Sequence, residues 1–242
     1  MNYGASVSDY FKNPKWMMNT LLAGVCVFIP LIGPIVIKGW LITGFWGRDD
    51  ERPETFPDFD FNHFGKYIER GLWPFLVTLV SSTVITMAVC VIVVPTTIIF
   101  TILGANDRNP AAGCAIAVLA IVLVIVYVVL LLGMMLLLTP LTIRASITQE
   151  FATSFNVAFI KRFIALTWKE IVIASLFLVL VSLLFTAIGL IVLCVGTSFA
   201  VVPVYFCWVH LHKQLYRLYL SRGGEPVPPS PKLRDNALPA VL

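Results

Sequence analysis

WMMNTLLAGVCVFIPLIGPIVIKGWLITGFW, residues 16–46, decides how this chain is read. It carries one charge, Lys38, and Pro30 and Pro34 bracket Gly33 near its middle. A continuous helix of that length would reach about 46 Å, well beyond a hydrocarbon core of about 30 Å. Each proline removes a backbone donor and disfavours helix in the residue before it. The stretch is therefore expected to break into two half-helices at Pro30-Leu31-Ile32-Gly33-Pro34. It is then either one kinked span or a hairpin with both ends on one face, and the hairpin is the preferred form. Pro30, Gly33 and Pro34 are the hinge candidates. Lys38 is a functional candidate because ionisable groups inside membrane segments are costly. Its simpler account is that its long stem snorkels to the surface.

The rest of the chain shares this apolar character. Of 242 residues, 59% are hydrophobic and 12% charged, against about 25% charged in ordinary globular chains. Apolar runs at 72–103, 111–143, 171–188 and 189–210 each approach or exceed the roughly 18 residues of a membrane span. Pro95 and Pro140 are expected to bend two of them. The run 111–143 opens on Ala111, Gly113, Ala115 and Ala117, small residues that permit close helix approach. Residues 104–110, GANDRNP, read as a polar turn.

Two stretches have one apolar face and read as helices lying on the membrane surface. At 61–71 that face is Phe61, Phe64 and Ile68. At 148–165 it is Phe151, Phe155, Phe159 and Phe163. Residues 1–15 read as a polar-aromatic lead-in. The loop GRDDERPETFPDFDFNHFG, 47–65, reads as solvated, with phenylalanines dipping into the interface. The fold class expected is all-α: a polytopic helical membrane bundle of four full spans, an N-terminal proline-broken hairpin and two amphipathic surface helices. Residues 1–220 form the membrane domain, and the proline-rich 221–242 is expected to be disordered.

Charge sets the orientation. With 47–71 in the cytoplasm, thirteen Lys or Arg fall on that face in three regions, and only Arg108 lies opposite. Such asymmetry marks the cytoplasmic side, which places the C-terminus there. Lys12 and Lys15 favour the same side for the N-terminus and hence the hairpin. The first apolar run lacks a small-residue cleavage motif and is expected to remain in the mature protein.

Signatures of chemistry are absent from the sequence. It holds no G-x-S-x-G, H-E-x-x-H, Walker loop or dinucleotide fingerprint. The five cysteines include no C-x-x-C, so they suggest neither zinc nor a disulfide framework. The acids of 47–65 do not have the spacing of a calcium loop. His210 and His212 point about 200° apart on a helix and do not converge on a metal. No charge sits in the middle of the later runs, as proton-coupled transporters usually need. No cofactor and no catalytic residue is expected. Basic residues are too dispersed for nucleic acid.

The N-terminal motifs carry a resemblance. Tyr10-Phe11, Asn13-Pro14-Lys15-Trp16, Leu21-Leu22-Ala23-Gly24, Ile29-Pro30-Leu31-Ile32-Gly33 and Gly39 resemble the domain of unknown function 4013 family of prokaryotic membrane proteins. Pro57-Asp58-Phe59-Asp60, Arg70-Gly71-Leu72-Trp73 and the stretch 151–168 are similar too. The resemblance implies a helical integral membrane protein and no particular activity. The expected role is a non-enzymatic structural or interaction protein of the cytoplasmic membrane. Its partners would be lipids, copies of itself or other membrane proteins. The alternative is a channel or transporter for a lipid or small solute, motivated by the broken helices.

Overall fold

The computed structural model describes residues 1–105, 110–191 and 196–234, and it is helical with no strand among them. The lead-in is itself a helix, α1 (Tyr3–Lys12), capped by the Asn2 side chain on the Ala5 amide. The decisive stretch forms α2 (Trp16–Cys26) and α3 (Ile32–Trp46). Between them Leu31 takes a left-handed backbone, φ 66°, an unusual conformation for a branched residue. Gly33 has no room for a Cβ, which would overlap the carbonyl of Cys26. Pro34 is the third residue of α3, where its missing N–H costs no helical bond. Pro30 and Gly33 thus make the turn, and Pro34 starts the next helix.

The chain doubles back here. The Phe56 ring lies 5.0 Å from Phe45 and 5.6 Å from Trp40, while its carbonyl accepts from Asn13 Nδ2 at 2.9 Å. Residues 13 and 45 would be about 48 Å apart along one straight helix, yet both touch Phe56.

Four long helices follow: α4 (Phe64–Ala105), α5 (Pro110–Thr148), α7 (Val157–Ile191) and α8 (Gly196–Ser221). Short turns α6 (Phe151–Ser154) and α9 (Pro231–Arg234) complete the described residues. Pro74, Pro95, Pro140 and Pro203 all lie inside helices rather than ending them. Of the expected turn at 104–110, residues 106–109 lie outside the described residues. The side chains of Ala111, Gly113 and Ala115 lie outside them too, so the close approach expected there goes undescribed.

Among the described residues three helices, α4, α5 and α7, are long and apolar enough to cross a membrane; the fourth expected span, 189–210, includes residues 192–195, which lie outside the described residues. The second half of α8 carries His210, His212, Lys213 and Arg217, which dilutes its apolar character. The three helices turn large side chains outward, among them Met87 and Val91 on α4, Val124 on α5 and Leu180 on α7. An apolar surface of this extent is at home in lipid or against another protein.

The core sits at the other end of the bundle and is built on α8. One cluster joins α1, α2, α3, the 56–59 loop and α4 to Val202, Phe206 and Val209. A second joins the end of α5 and the start of α7 to Leu211, Leu215 and Tyr219. α3 and α4 cross backbone to backbone: a Cβ on Gly39 would overlap the Tyr67 carbonyl, and one on Gly71 the Ile35 carbonyl.

Four local expectations change. The stretch 61–71 is no separate surface helix, because a short turn at Phe61–His63 leads straight into α4. The stretch 148–165 is divided, since α5 ends at Thr148, Gln149 turns with φ 54°, and the Asn156 side chain caps α7 on the Phe159 amide. The phenylalanine stripe is divided with it: Phe159 and Phe163 are buried in the protein against Tyr219, while Phe155 is exposed. In the loop, Phe56 and Phe59 belong to the core rather than the interface. The tail is packed as far as 234: Val227 and Leu233 are buried, and the Ser230 amide donates to the Ile147 carbonyl. Residues 235–242 lie outside the described residues.

Candidate functional site

The motif Pro57-Asp58-Phe59-Asp60 clamps the hairpin shut. On the α2 side Asn19, buried within an apolar helix, accepts from the Phe59 amide at 2.9 Å and donates to Asp58 Oδ1 at 3.2 Å. Lys15 Nζ pairs with Asp58 Oδ2 at 2.9 Å. On the α3 side Trp40 Nε1 donates to the Pro57 carbonyl at 2.8 Å. One short loop therefore satisfies polar groups from both arms. Asn19 was open to detection as the single amide in WMMNTLL. The use of Trp40 as a donor had no sequence signal.

Lys38 lies at the other side of α3, and it does not snorkel. It is 4% exposed, and its Nζ donates to Thr78 Oγ1 on α4 at 3.1 Å. The ammonium also sits 4.5 Å from the centre of the Trp208 ring on α8, a cation–π arrangement that partly replaces hydration. No carboxylate pairs with it among the described residues.

Proton accounting orders this cluster. Thr78 donates its one hydroxyl proton to the Pro74 carbonyl at 2.6 Å. It must then accept from Lys38, and Thr142, 3.3 Å away on α5, must be the donor between the two hydroxyls. Ser146 donates in turn to the Thr142 carbonyl at 2.8 Å. His212, one turn beyond Trp208 and buried, stacks edge-on to that ring at 5.1 Å. These groups from α3, α4, α5 and α8 surround a cavity of about 10 Å³, the scale of about one water. The arrangement can hold a cation in place and orient a small polar guest.

The remaining candidates are dispersed. Pro30 and Gly33 make the hairpin turn, Pro34 lies in the first turn of α3, Pro95 lies far along α4 on an exposed face, and Pro140 is buried in α5 within two residues of Thr142. His210 and His212 diverge, with His210 stacked on Phe45 at 5.3 Å. No group of three potential metal ligands occurs among the described residues. Arg70 is a second buried cation that the sequence reading missed. Its guanidinium donates to Thr43 Oγ1 and to the Lys232 carbonyl, both at 3.0 Å, and so ties α3, α4 and α9 together.

A family model described as a protein of unknown function (DUF4013) matches residues 22–195, from α2 through α7. No curated protein and no solved structure matches the chain. The match covers well over half of the sequence, and the chain belongs to that family.

Proposed function

Taking that membership as the premise, we propose that this is a non-enzymatic structural or interaction protein of the cytoplasmic membrane. The observation that carries the reading is the division of the molecule into two unlike ends. One end is a packed core knitted by α8, the hairpin clamp and the tail. The other is three long helices whose apolar side chains face outward, available to lipid, to a second copy or to other membrane proteins. In this reading residues 189–210 count as a fourth span. The hairpin enters and leaves on the cytoplasmic face, and both termini lie there, as the Lys and Arg distribution favours.

A second reading, a channel or transporter for a lipid or small solute, draws on the polar cluster around Lys38 between four helices. The 10 Å³ cavity weighs against it. The two separate in reconstituted vesicles. A scaffold gives cross-linked complexes in native membranes and no solute efflux above protein-free vesicles. Efflux that Lys38→Met alters would replace the scaffold with the conducting reading. Topology follows from cysteines placed at the exposed positions Ser8 and Ser221: both should be shielded from outside reagent in intact cells, and labelling of either overturns the orientation.

A further inference from the structure

A second, larger cavity lies under the loop that follows α3, where α1 and the later half of α8 meet. It measures about 170 Å³, more than ten times the roughly 10–15 Å³ that admits one water. Four cationic side chains line it, Arg48, Arg52, Lys213 and Arg217, against three carboxylates, Asp9, Asp50 and Glu51. Their depths differ. The Arg48 and Lys213 side chains are each 14% exposed, whereas Asp50 is 38% and Glu51 53% exposed. Arg48 and Lys213 are the floor, with Asp9 at a similar depth beside His210, while Asp50 and Glu51 of the loop stand at the rim with Arg52 and Arg217.

Each rim acid pairs with one exposed cation and reaches one floor cation. Glu51 stands 3.4 Å from Lys213 Nζ and also pairs with Arg217. Asp50 holds Arg52 at 3.0 Å and approaches Arg48 at 3.7 Å. His210 faces Asp9 at 3.9 Å through Nε2, while its buried Nδ1 has no hydrogen-bond partner. Burial, and after it the neighbouring Arg48, hold the Lys213 ammonium down to about 8. Two partly desolvated cations side by side call for an anion, and one with several oxygens would meet forked guanidinium donors and an ammonium together.

We propose that this cavity binds a phosphate group, from a phospholipid headgroup or from free phosphate, with Arg48 and Lys213 as its inner donors and Asp50 and Glu51 as the built-in acids it displaces. The site stands whether the protein scaffolds or conducts. The acids interleaved with cations argue against a metal cation, which would be repelled by the floor.

The test uses the full chain in a maltoside detergent, titrated calorimetrically with inorganic phosphate and with mixed micelles of phosphatidylglycerol or phosphatidylcholine. Saturable binding of inorganic phosphate identifies a free anion, and binding of phosphatidylglycerol alone identifies a lipid headgroup. Either is expected to weaken at least tenfold in Arg48→Gln/Lys213→Gln. Glu51→Gln, which removes the internal competitor and keeps the cations, is expected to tighten binding several-fold. Binding of neither probe overturns the proposal. So does binding that is unchanged in the double variant, or unchanged or weaker in Glu51→Gln.

Discussion

Gly39 of α3 and Tyr67 of α4 meet with no side chain between them: the space a Cβ would take on Gly39 is filled by the Tyr67 carbonyl. One turn further on, Gly71 meets the Ile35 carbonyl in the same way. Gly39→Ala and Gly71→Ala should each force these helices apart and cost at least about 1–3 kcal/mol. Gly65, with open space around its Cβ position, supplies the control. Gly65→Ala should be neutral or stabilising by a few tenths to about 1 kcal/mol. Thermal unfolding in detergent measures all three.

Asn19 holds the loop through two hydrogen bonds, one of them to the amide of the buried Phe59. Asn19→Ala would leave that amide without its acceptor, at a cost of about 1–3 kcal/mol. Amide exchange at Phe59 should quicken, and protease should cut within 47–63 where the parent resists. Trp40→Phe keeps the ring but loses the bond to Pro57, and should loosen the same loop to a lesser degree.

Lys38 is buried against a hydroxyl and an aromatic face. Replacing a buried charge by an apolar chain of similar length is often neutral or stabilising. Lys38→Met should hold or raise stability by on the order of 1 kcal/mol, whereas Thr78→Val strands the ammonium and should cost about 1–3 kcal/mol. In the Lys38→Met background the Thr78→Val cost should shrink, and a double-mutant cycle reads that coupling. Equal costs in both backgrounds would mean that Lys38 does not depend on the Thr78 hydroxyl.

Burial lowers the Lys213 ammonium to about 8, below its unfolded value of about 10.4. Between those values the unfolded chain binds the extra proton, so this group makes stability rise with pH from about 8 to 10.4. Below 8 both states carry the proton, and the contribution is flat at its least favourable. Subtracting the unfolding curve of Lys213→Met from that of the parent over this range should isolate the slope. Asp50 behaves oppositely. Its hydrogen bonds from Arg52 and Thr55 hold its carboxyl well below the usual range. The order it gives the loop is complete above the ordinary carboxylate value, and is lost as pH falls through its depressed one.

The tail docks by Val227, Leu233 and the bond from Arg70 to the Lys232 carbonyl. Ending the chain at Arg222 should cost about 3 kcal/mol or more, since each buried aliphatic is worth about 1.5–3 kcal/mol. Leu233→Asp in the full chain should reproduce most of that loss.

The break at Pro30 and the long apolar helices were legible because proline chemistry and hydropathy act locally; Lys38 stood out as an isolated charge, but its burial did not, since its simpler account was snorkelling. What was not legible depends on partners far along the chain. The phenylalanines of 148–165 looked interfacial because their spacing says that they share a face, and spacing does not say what covers it; Tyr219 covers two of them. The tail looked disordered from composition, yet two well-placed apolar residues and the free carbonyls of Ile147 and Lys232 suffice to dock it. The helix at 61–71 ran on into α4 because Trp73-Pro74 marks an interface in sequence without breaking the backbone.

The two larger core clusters both rest on α8, and α8 is nearly the last helix to be made. Synthesis runs from the N-terminus, so α1 to α3 leave the ribosome about 160 residues before Phe206 and Val209 can seal them. Until then Lys38 lacks its Trp208 face, and the hairpin is held only by its own loop and by α4. The earliest-inserted part of the protein is thus finished last. A chain stalled before α8 would leave this lysine and the aromatic surfaces of the first cluster uncovered.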